Sequence, residues 1–319
     1  MPTGHFSTEA VRRAVVDVRH LLWFRAATVR RKRAARVAGV TFLILTGAVA
    51  VVPAYLPGAG ELGDGTHAVH FLVLLPSALA ALLVLAVVSA VATGGGRELL
   101  AQEHAVSYPV SPTTDHLGAL LLAPLNIAWL LQIWTLLGAT AYVLGPHWLL
   151  GTQLLAMLWV TTAITLAQIV AWSVEAVRRS EHGQAVVRAL GVTVGVLAVW
   201  LQLSGNLTVV LDRLPTTLVM LGMVAAREGE ALRMVLTGAA LLGLTAVAAA
   251  VGAVPAHLAA RRTARDVVRA ETGVRPARRM PRSDLLALVR IDRASVWRAV
   301  PTRRGLMVLA VGPGLVALA

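Results

Sequence analysis

The feature that most constrains this chain is a long stretch without charged side chains. From His116 to Val174 the sequence contains no Asp, Glu, Lys or Arg. A helix that crosses a membrane needs about 20 apolar residues, so the stretch is long enough for two such helices, and the turn-forming Gly145 and Pro146 lie between them. Because backbone polar groups within lipid must be satisfied inside the segment, we interpret the stretch as a helical hairpin.

The composition as a whole is that of an integral membrane protein. Hydrophobic residues make up 57% of the 319 positions and charged residues 14%, whereas soluble domains are about 45–50% apolar and about 25% charged. We therefore predict an all-α, polytopic helical membrane bundle. Its six complete transmembrane helices are expected near residues 37–56, 68–92, 117–145, 149–174, 190–211 and 234–258.

The distribution of basic residues predicts the orientation. Of the 29 Lys and Arg residues, 26 lie in segments on one side of the predicted spans, and three lie on the other side: Arg213, Arg227 and Arg233. Basic residues are retained on the cytoplasmic side of a membrane. We therefore predict a multi-pass cell-membrane protein whose N-terminus and residues 259–304 are cytoplasmic, with residues 146–148 and 212–233 outside.

The N-terminal segment 1–36 predicts a basic amphipathic helix. Apolar residues recur at steps of four and three residues and form one stripe, which consists of Val11, Val15, Val18, Leu22, Ala26 and Val29. With arginines on its other faces, such a helix is typical of a segment that lies on the inner membrane surface. The alternative is a basic tail that only sets the topology.

Three further segments complete the predicted organisation. Residues 37–258 form the six-helix transmembrane domain, and residues 259–304 form a basic cytoplasmic linker. Residues 305–319 are apolar but too few to span a membrane, and the basic segment before them weakly resembles the one before the first span. We interpret residues 305–319 as the start of a second, truncated transmembrane half.

The segment 212–233 differs from the other loops. Its apolar run from Leu214 to Ala226 is too short to cross a membrane. We predict a re-entrant or interfacial helix pair that Pro215 opens and Gly222 bends. A plain amphipathic loop helix is the alternative.

We predict no catalytic residue, no cofactor and no metal site in this chain. A Walker A phosphate-binding loop needs a Lys followed by Ser or Thr, but the only lysine, Lys32, is followed by Arg33. The chain has no cysteine and no HExxH motif, and His67 with His70 would make an incomplete metal site. The basic residues lie in loops between apolar spans, so we predict no binding of nucleic acid.

The predicted spans contain a few amide side chains in place of charged ones. These are Asn126, Gln132, Gln168, Gln202 and Asn206. One interpretation is that they line a substrate path. The other is that they are hydrogen-bonding contacts between helices, each worth about 0.6–2 kcal/mol.

The cytoplasmic segment 97–116 contains one basic residue, while the other long cytoplasmic segments contain nine and thirteen. It offers acidic and apolar side chains, namely Glu98, Leu99, Glu103 and Tyr108. This mixture favours docking to another protein over binding to lipid phosphates. The alternative is that the segment only connects two spans.

Three motifs resemble a known family: Tyr108-Pro-Val-Ser-Pro, Leu117-Gly-Ala-Leu-Leu-Leu-Ala-Pro-Leu-Asn and Ala128-Trp-Leu-Leu-Gln. They are similar to the membrane (permease) component of exporter-type ATP-binding-cassette transporters from actinobacteria. The resemblance implies a bacterial plasma membrane, an amphipathic connecting helix in residues 8–36, a coupling helix in residues 97–116 and a re-entrant element in residues 212–233. It also implies that a separate subunit binds and hydrolyses ATP.

The resemblance predicts a permease subunit that moves a substrate by alternating access. Its expected partners are an ATPase subunit, membrane lipids, and a second permease half or a second copy of the chain. Two other classes stay open on the sequence alone: an integral membrane enzyme that acts on lipid, and a membrane scaffold or fragment that does not transport. The amides and apolar spans do not distinguish between lipids, amphipathic drugs and peptides as substrates.

Overall fold

The computed structural model describes residues 8–28, 31–63, 66–93, 111–123, 127–180, 182–206, 209–210, 213–261, 283–286 and 288–289. The regular elements in these ranges are helical. They are α1 (Thr8–Thr28), α2 (Lys32–Val51), a 3-10 helix (Val52–Tyr55), α3 (His67–Thr93), α4 (Pro112–Leu122), α5 (Ile127–Leu144), α6 (Leu149–Arg178), α7 (Gly183–Leu203), α8 (Pro215–Arg227) and α9 (Ala231–Ala260).

Five helices in the described ranges are long and apolar enough to cross a membrane. They are α2 together with the 3-10 helix, α3, α6, α7 and α9, and α5 contributes a shorter apolar stretch, Trp129–Leu144. The described residues therefore confirm the all-helical class and fit a membrane bundle, while the number of six complete spans stays a prediction.

The predicted third span, residues 117–145, is described in two parts. Helix α4 covers its start and α5 covers the rest, and residues 124–126 between them lie outside the described ranges.

Helix α6 is the centre of the bundle. It packs most extensively against α9 and α3, and also against α4, α5, α7 and α8. Small residues on α6, such as Gly151, Ala156 and Ala163, are fully buried or nearly so, and they let neighbouring helices approach closely. Trp159 fills the contact with α3, where its Nε1 donates to the Leu79 carbonyl at 3.1 Å.

The loops gather at two ends of the bundle, as an up-and-down arrangement of helices requires. At one end, the Arg227 side chain reaches the Gly60 carbonyl and Gly229 lies near the Trp148 indole. At the other end, Arg179 after α6 reaches the carbonyl of Ala259 near the end of α9. We call these the turn end and the arginine end.

Helix α8 packs against the bundle. Its buried side chains include Val219, Met223 and Ala226, and it contacts α3, α6 and α9. Gly222 lies against Thr237, which is two turns into α9. Helix α8 therefore runs alongside the first part of α9, and the re-entrant character of residues 212–233 stays a prediction.

The predicted start of α7 was wrong. In α1 the most buried side chains are Ala14, which is outside the predicted stripe, and Val18, which belongs to it, and the helix packs against α4. Val15 of the stripe is 55% exposed, and the position of the stripe on the membrane surface stays a prediction. Helix α7 begins at Gly183, before the predicted start at residue 190, and Gly183 is its only buried residue.

Candidate functional site

The candidate site is a polar junction at the arginine end, where α4 meets α6 and α9. We call it the α4 junction, and it consists of Thr113, His116, Glu175, Gly252 and His257. Helix α4 directly follows the segment 97–111 in the chain, and it packs against α1, α9 and, to a smaller extent, α6. The junction therefore joins the predicted coupling segment to the core of the bundle.

The start of α4 is defined by a side-chain cap. The hydroxyl of Ser111 accepts a hydrogen bond from the Thr114 backbone amide at 3.1 Å, and Pro112 occupies the first helical position. Both features are favoured at helix N-termini. Asp115 lies in the first turn, ahead of the predicted span 117–145, and burial raises the pKa of its carboxyl group to about 6.

His116 locks α4 onto α9. Its side chain is completely buried, and its Nε2 donates to the Ala249 carbonyl at 3.1 Å. Gly252 makes room for the ring, since a Cβ atom at this position would lie 2.6 Å from His116 Cε1. The Nδ1 atom is buried without a hydrogen-bond partner among the described residues.

A second contact joins the same two helices one turn nearer the start of α4. The Thr113 hydroxyl and His257 Nε2 form a hydrogen bond of 2.9 Å. Pro255 lies in α9 between this contact and the Gly252 notch. Because proline has no N–H, α9 lacks one internal hydrogen bond at this level and is easier to bend there.

A buried carboxylate ties the end of α6 to α9. Glu175 accepts from Arg178 Nη1 at 3.1 Å and from Arg179 Nε at 3.0 Å, and its side chain is 7% exposed. Arg179 also donates from Nη1 to the Ala259 carbonyl at 2.6 Å. The two arginines neutralise the buried carboxylate of Glu175, and Arg179 also joins the end of α6 to the end of α9.

The predicted coupling residues precede this junction in the sequence. Glu98, Leu99, Glu103 and Tyr108 are all outside the described residues, so their roles stay predictions. The described part of segment 97–116 begins at Ser111 and includes two members of the junction, Thr113 and His116.

The predicted substrate-path amides differ in burial among the described residues. Gln168 is buried, and its Oε1 has no hydrogen-bond partner among the described residues, as is true of Gln132 Oε1. Gln202 and Asn206 lie at the exposed end of α7, where Asn206 bonds to Ser204. Asn126 lies outside the described residues. The role of these amides in transport stays a prediction.

The turn end holds an open cleft of about 490 Å³. Gly60 and Gly145 cross there with their backbones in contact, since a Cβ atom on either would lie 3.0 Å from the other's Cα. Both have positive φ values, and Arg227 donates to the Gly60 carbonyl at 2.6 Å. His147, Arg227 and Glu228 supply the polar side chains of the cleft.

Among the residues that the structure describes, no group of three or more His, Asp and Glu side chains is placed to hold a metal ion. His116 and His257 are instead engaged with a helix carbonyl and a threonine hydroxyl.

Glu175, Gly252 and His257 were not among the functional residues predicted from the sequence. A signal for the first existed, because Glu175 is the acidic residue that ends the uncharged stretch. Gly252 and His257 could have been noticed because they lie with Pro255 within two turns of an apolar helix. The pairing of Gly252 with His116 joins residues far apart in the chain, so it required the structure.

Comparison with known protein families, with curated proteins and with solved structures found no match to this chain. The functional interpretation therefore rests on the geometry of the bundle and of the α4 junction.

Proposed function

We propose that this chain is the permease subunit of an ATP-driven exporter of the ATP-binding-cassette type. In this proposal it lies in a bacterial plasma membrane with the arginine end in the cytoplasm. A separate ATPase subunit docks on the segment 97–116, and its closing and reopening switch the bundle between inward and outward access.

The observation that carries the proposal is the connection of α4 to α9. A push on the segment 97–111 reaches α4 first, because α4 continues the chain from Ser111. His116 in the Gly252 notch and the bond from Thr113 to His257 then pass the displacement to α9. Helix α9 in turn packs along α6, the centre of the bundle.

One feature supports movement at this end: Pro255 weakens α9 next to the junction. At the turn end, by contrast, backbone contacts between Gly60 and Gly145 hold the loops together.

The proposal predicts where ATP is hydrolysed. The purified chain alone should not hydrolyse ATP, because Lys32 is its only lysine and is followed by Arg33. Turnover should appear when the chain is purified together with its ATPase subunit, and Lys32→Gln should leave that turnover unchanged. Saturable ATP hydrolysis by a preparation free of other proteins would contradict the proposal.

A further inference from the structure

Helix α1 combines charged and exposed apolar side chains in a way that fits neither water nor the membrane interior. It carries Arg12, Arg13, Asp17 and Arg19 and is not among the helices apolar enough to span. Yet Trp23 is 74% exposed, Val15 55% and Val16 45%. A helix of this kind is stable at the boundary between headgroups and acyl chains.

The side of α1 that contacts the protein is separate from this exposed side. Ala14 and Val18 are 1% and 3% exposed, and α1 packs against α4. At 3.6 residues per turn, Trp23 and Val16 lie on the opposite side of the helix, with Arg12 and Arg19 beside them. These four side chains are all exposed.

The start of α2 sets the level of the membrane surface. Arg31, Lys32, Arg33 and Arg36 are exposed around its first turn, and exposed apolar residues such as Val37 and Val40 follow. Basic residues at the end of a spanning helix lie among the lipid headgroups. Helix α1 ends at Thr28, three residues before Arg31, so its end lies at that same level.

We propose that the exposed side of α1, made of Arg12, Val15, Val16, Arg19 and Trp23, binds the surface of a membrane rich in anionic phospholipid. Trp23 and the two valines enter the boundary below the headgroups, where tryptophan is favoured. Arg12 and Arg19 bind the phosphates of anionic lipids. This inference needs only that α2 spans the membrane, and it holds with or without an ATPase partner.

The test uses nitroxide labels, which the cysteine-free chain allows to be placed one at a time. The reporter is Val16→Cys, and the matched control is Asp17→Cys, which points about 100° away around the same helix. The full chain is reconstituted in phosphatidylcholine vesicles with or without phosphatidylglycerol. Collision with oxygen reports contact with lipid, and collision with a water-soluble nickel chelate reports contact with water.

The expected result is that the label at residue 16 collides mainly with oxygen, that the label at residue 17 collides mainly with nickel, and that phosphatidylglycerol strengthens the contrast. Arg12→Gln with Arg19→Gln should lower the ratio of docked to undocked helix about fivefold per arginine in phosphatidylglycerol vesicles. The pair Arg12→Lys and Arg19→Lys should retain most of the effect.

Two results would overturn the inference. One is equal nickel collision at residues 16 and 17 in both kinds of vesicle, which would place α1 in water. The other is oxygen contact at residue 16 that changes neither with phosphatidylglycerol nor in the double Gln variant. That result would show that α1 inserts its apolar side chains without recognising anionic headgroups.

Discussion

At the scale of single residues, the contact between His116 and Gly252 defines the α4 junction. A glycine in a helix interior costs up to about 1 kcal/mol relative to alanine. Here it makes room for a fully buried imidazole ring, whose Nε2 reaches the Ala249 carbonyl. Ile169 of α6 closes the same notch, since its Cγ1 would lie 3.3 Å from a Cβ atom at residue 252.

The notch predicts that Gly252→Ala destabilises the protein. The added methyl group would meet His116 Cε1 at 2.6 Å, and overpacking of this kind costs about 1–3 kcal/mol. The measurement is thermal unfolding of the purified chain in detergent. Gly243→Ala is the matched control, because Gly243 lies on the same helix and a Cβ atom there would have no neighbour within 4 Å. The thermal stability of the Gly243→Ala variant should be unchanged or slightly raised.

A double variant separates this clash from a general effect of alanine in α9. Gly252→Ala combined with His116→Ala should lose less stability than the sum of the two single changes, because the second change removes the side chain that the first one meets. Additive losses would show that His116 does not occupy the notch.

At the scale of helices, the ends of α6 and α9 are held by one buried ion-pair cluster. Glu175 holds both Arg178 and Arg179, and Arg179 reaches the Ala259 carbonyl. In the proposed mechanism this tie makes the two helices move together when α4 pushes on α9.

The cluster predicts that Glu175→Gln is strongly destabilising. It leaves two largely buried guanidinium groups without their carboxylate, and the loss of one partner of a buried ion pair costs about 3–5 kcal/mol. Glu230→Gln is the control, since the pair of Glu230 and Arg233 is exposed, with side chains 49% and 71% accessible, and such pairs contribute about 0–1 kcal/mol. Equal loss of thermal stability in both variants would contradict the role assigned to Glu175.

How well a helix was predicted depends on whether it contacts lipid or other helices. The apolar runs of α3, α6 and α9 predicted those helices to within a few residues, because composition alone decides whether a segment enters lipid. The burial of Ala14 in α1 was not predicted, because periodicity does not reveal which residues of a surface helix contact another helix.

For the candidate site, only its position along the chain could be predicted from the sequence. Segment 97–116 was identified from its charge contrast with the other cytoplasmic segments, and it contains Thr113 and His116. Their partners on α9 are well over one hundred residues away in the chain. No local pattern marks such a pairing, so the α4 junction emerges only from the packed helices.

At the scale of the whole molecule, the proposed function requires that the arginine end of the bundle faces the cytoplasm. The structure places residues 56–63, 145–148 and 228–230 at the turn end, and residues 178–180 and 257–261 at the arginine end. The assignment of the arginine end to the cytoplasm rests on the bias of 26 basic residues against three.

This orientation predicts the labelling of single cysteines. Thr66→Cys and Glu228→Cys should react with a membrane-impermeant maleimide in intact cells, because both residues lie near the turn end, where Glu228 is exposed and Thr66 is half-buried. His182→Cys, in the turn between α6 and α7, is the control and should react only after permeabilisation. The reverse pattern would invert the proposed topology.

The most direct test of the central claim is a crosslink between segment 97–116 and an ATPase subunit. Leu99→Cys and Glu103→Cys are each labelled with a short photoreactive maleimide in the complex purified from the native host, with Thr66→Cys at the turn end as the control. The proposed function predicts crosslinks from residues 99 and 103 to a Walker-type ATPase and none from residue 66. The double variant Glu98→Arg with Glu103→Arg should lose both the crosslinks and ATP turnover while the chain keeps its normal abundance. An ATPase that co-purifies but crosslinks equally from residue 66, or a complex whose turnover is unchanged by the double Arg variant, would contradict it.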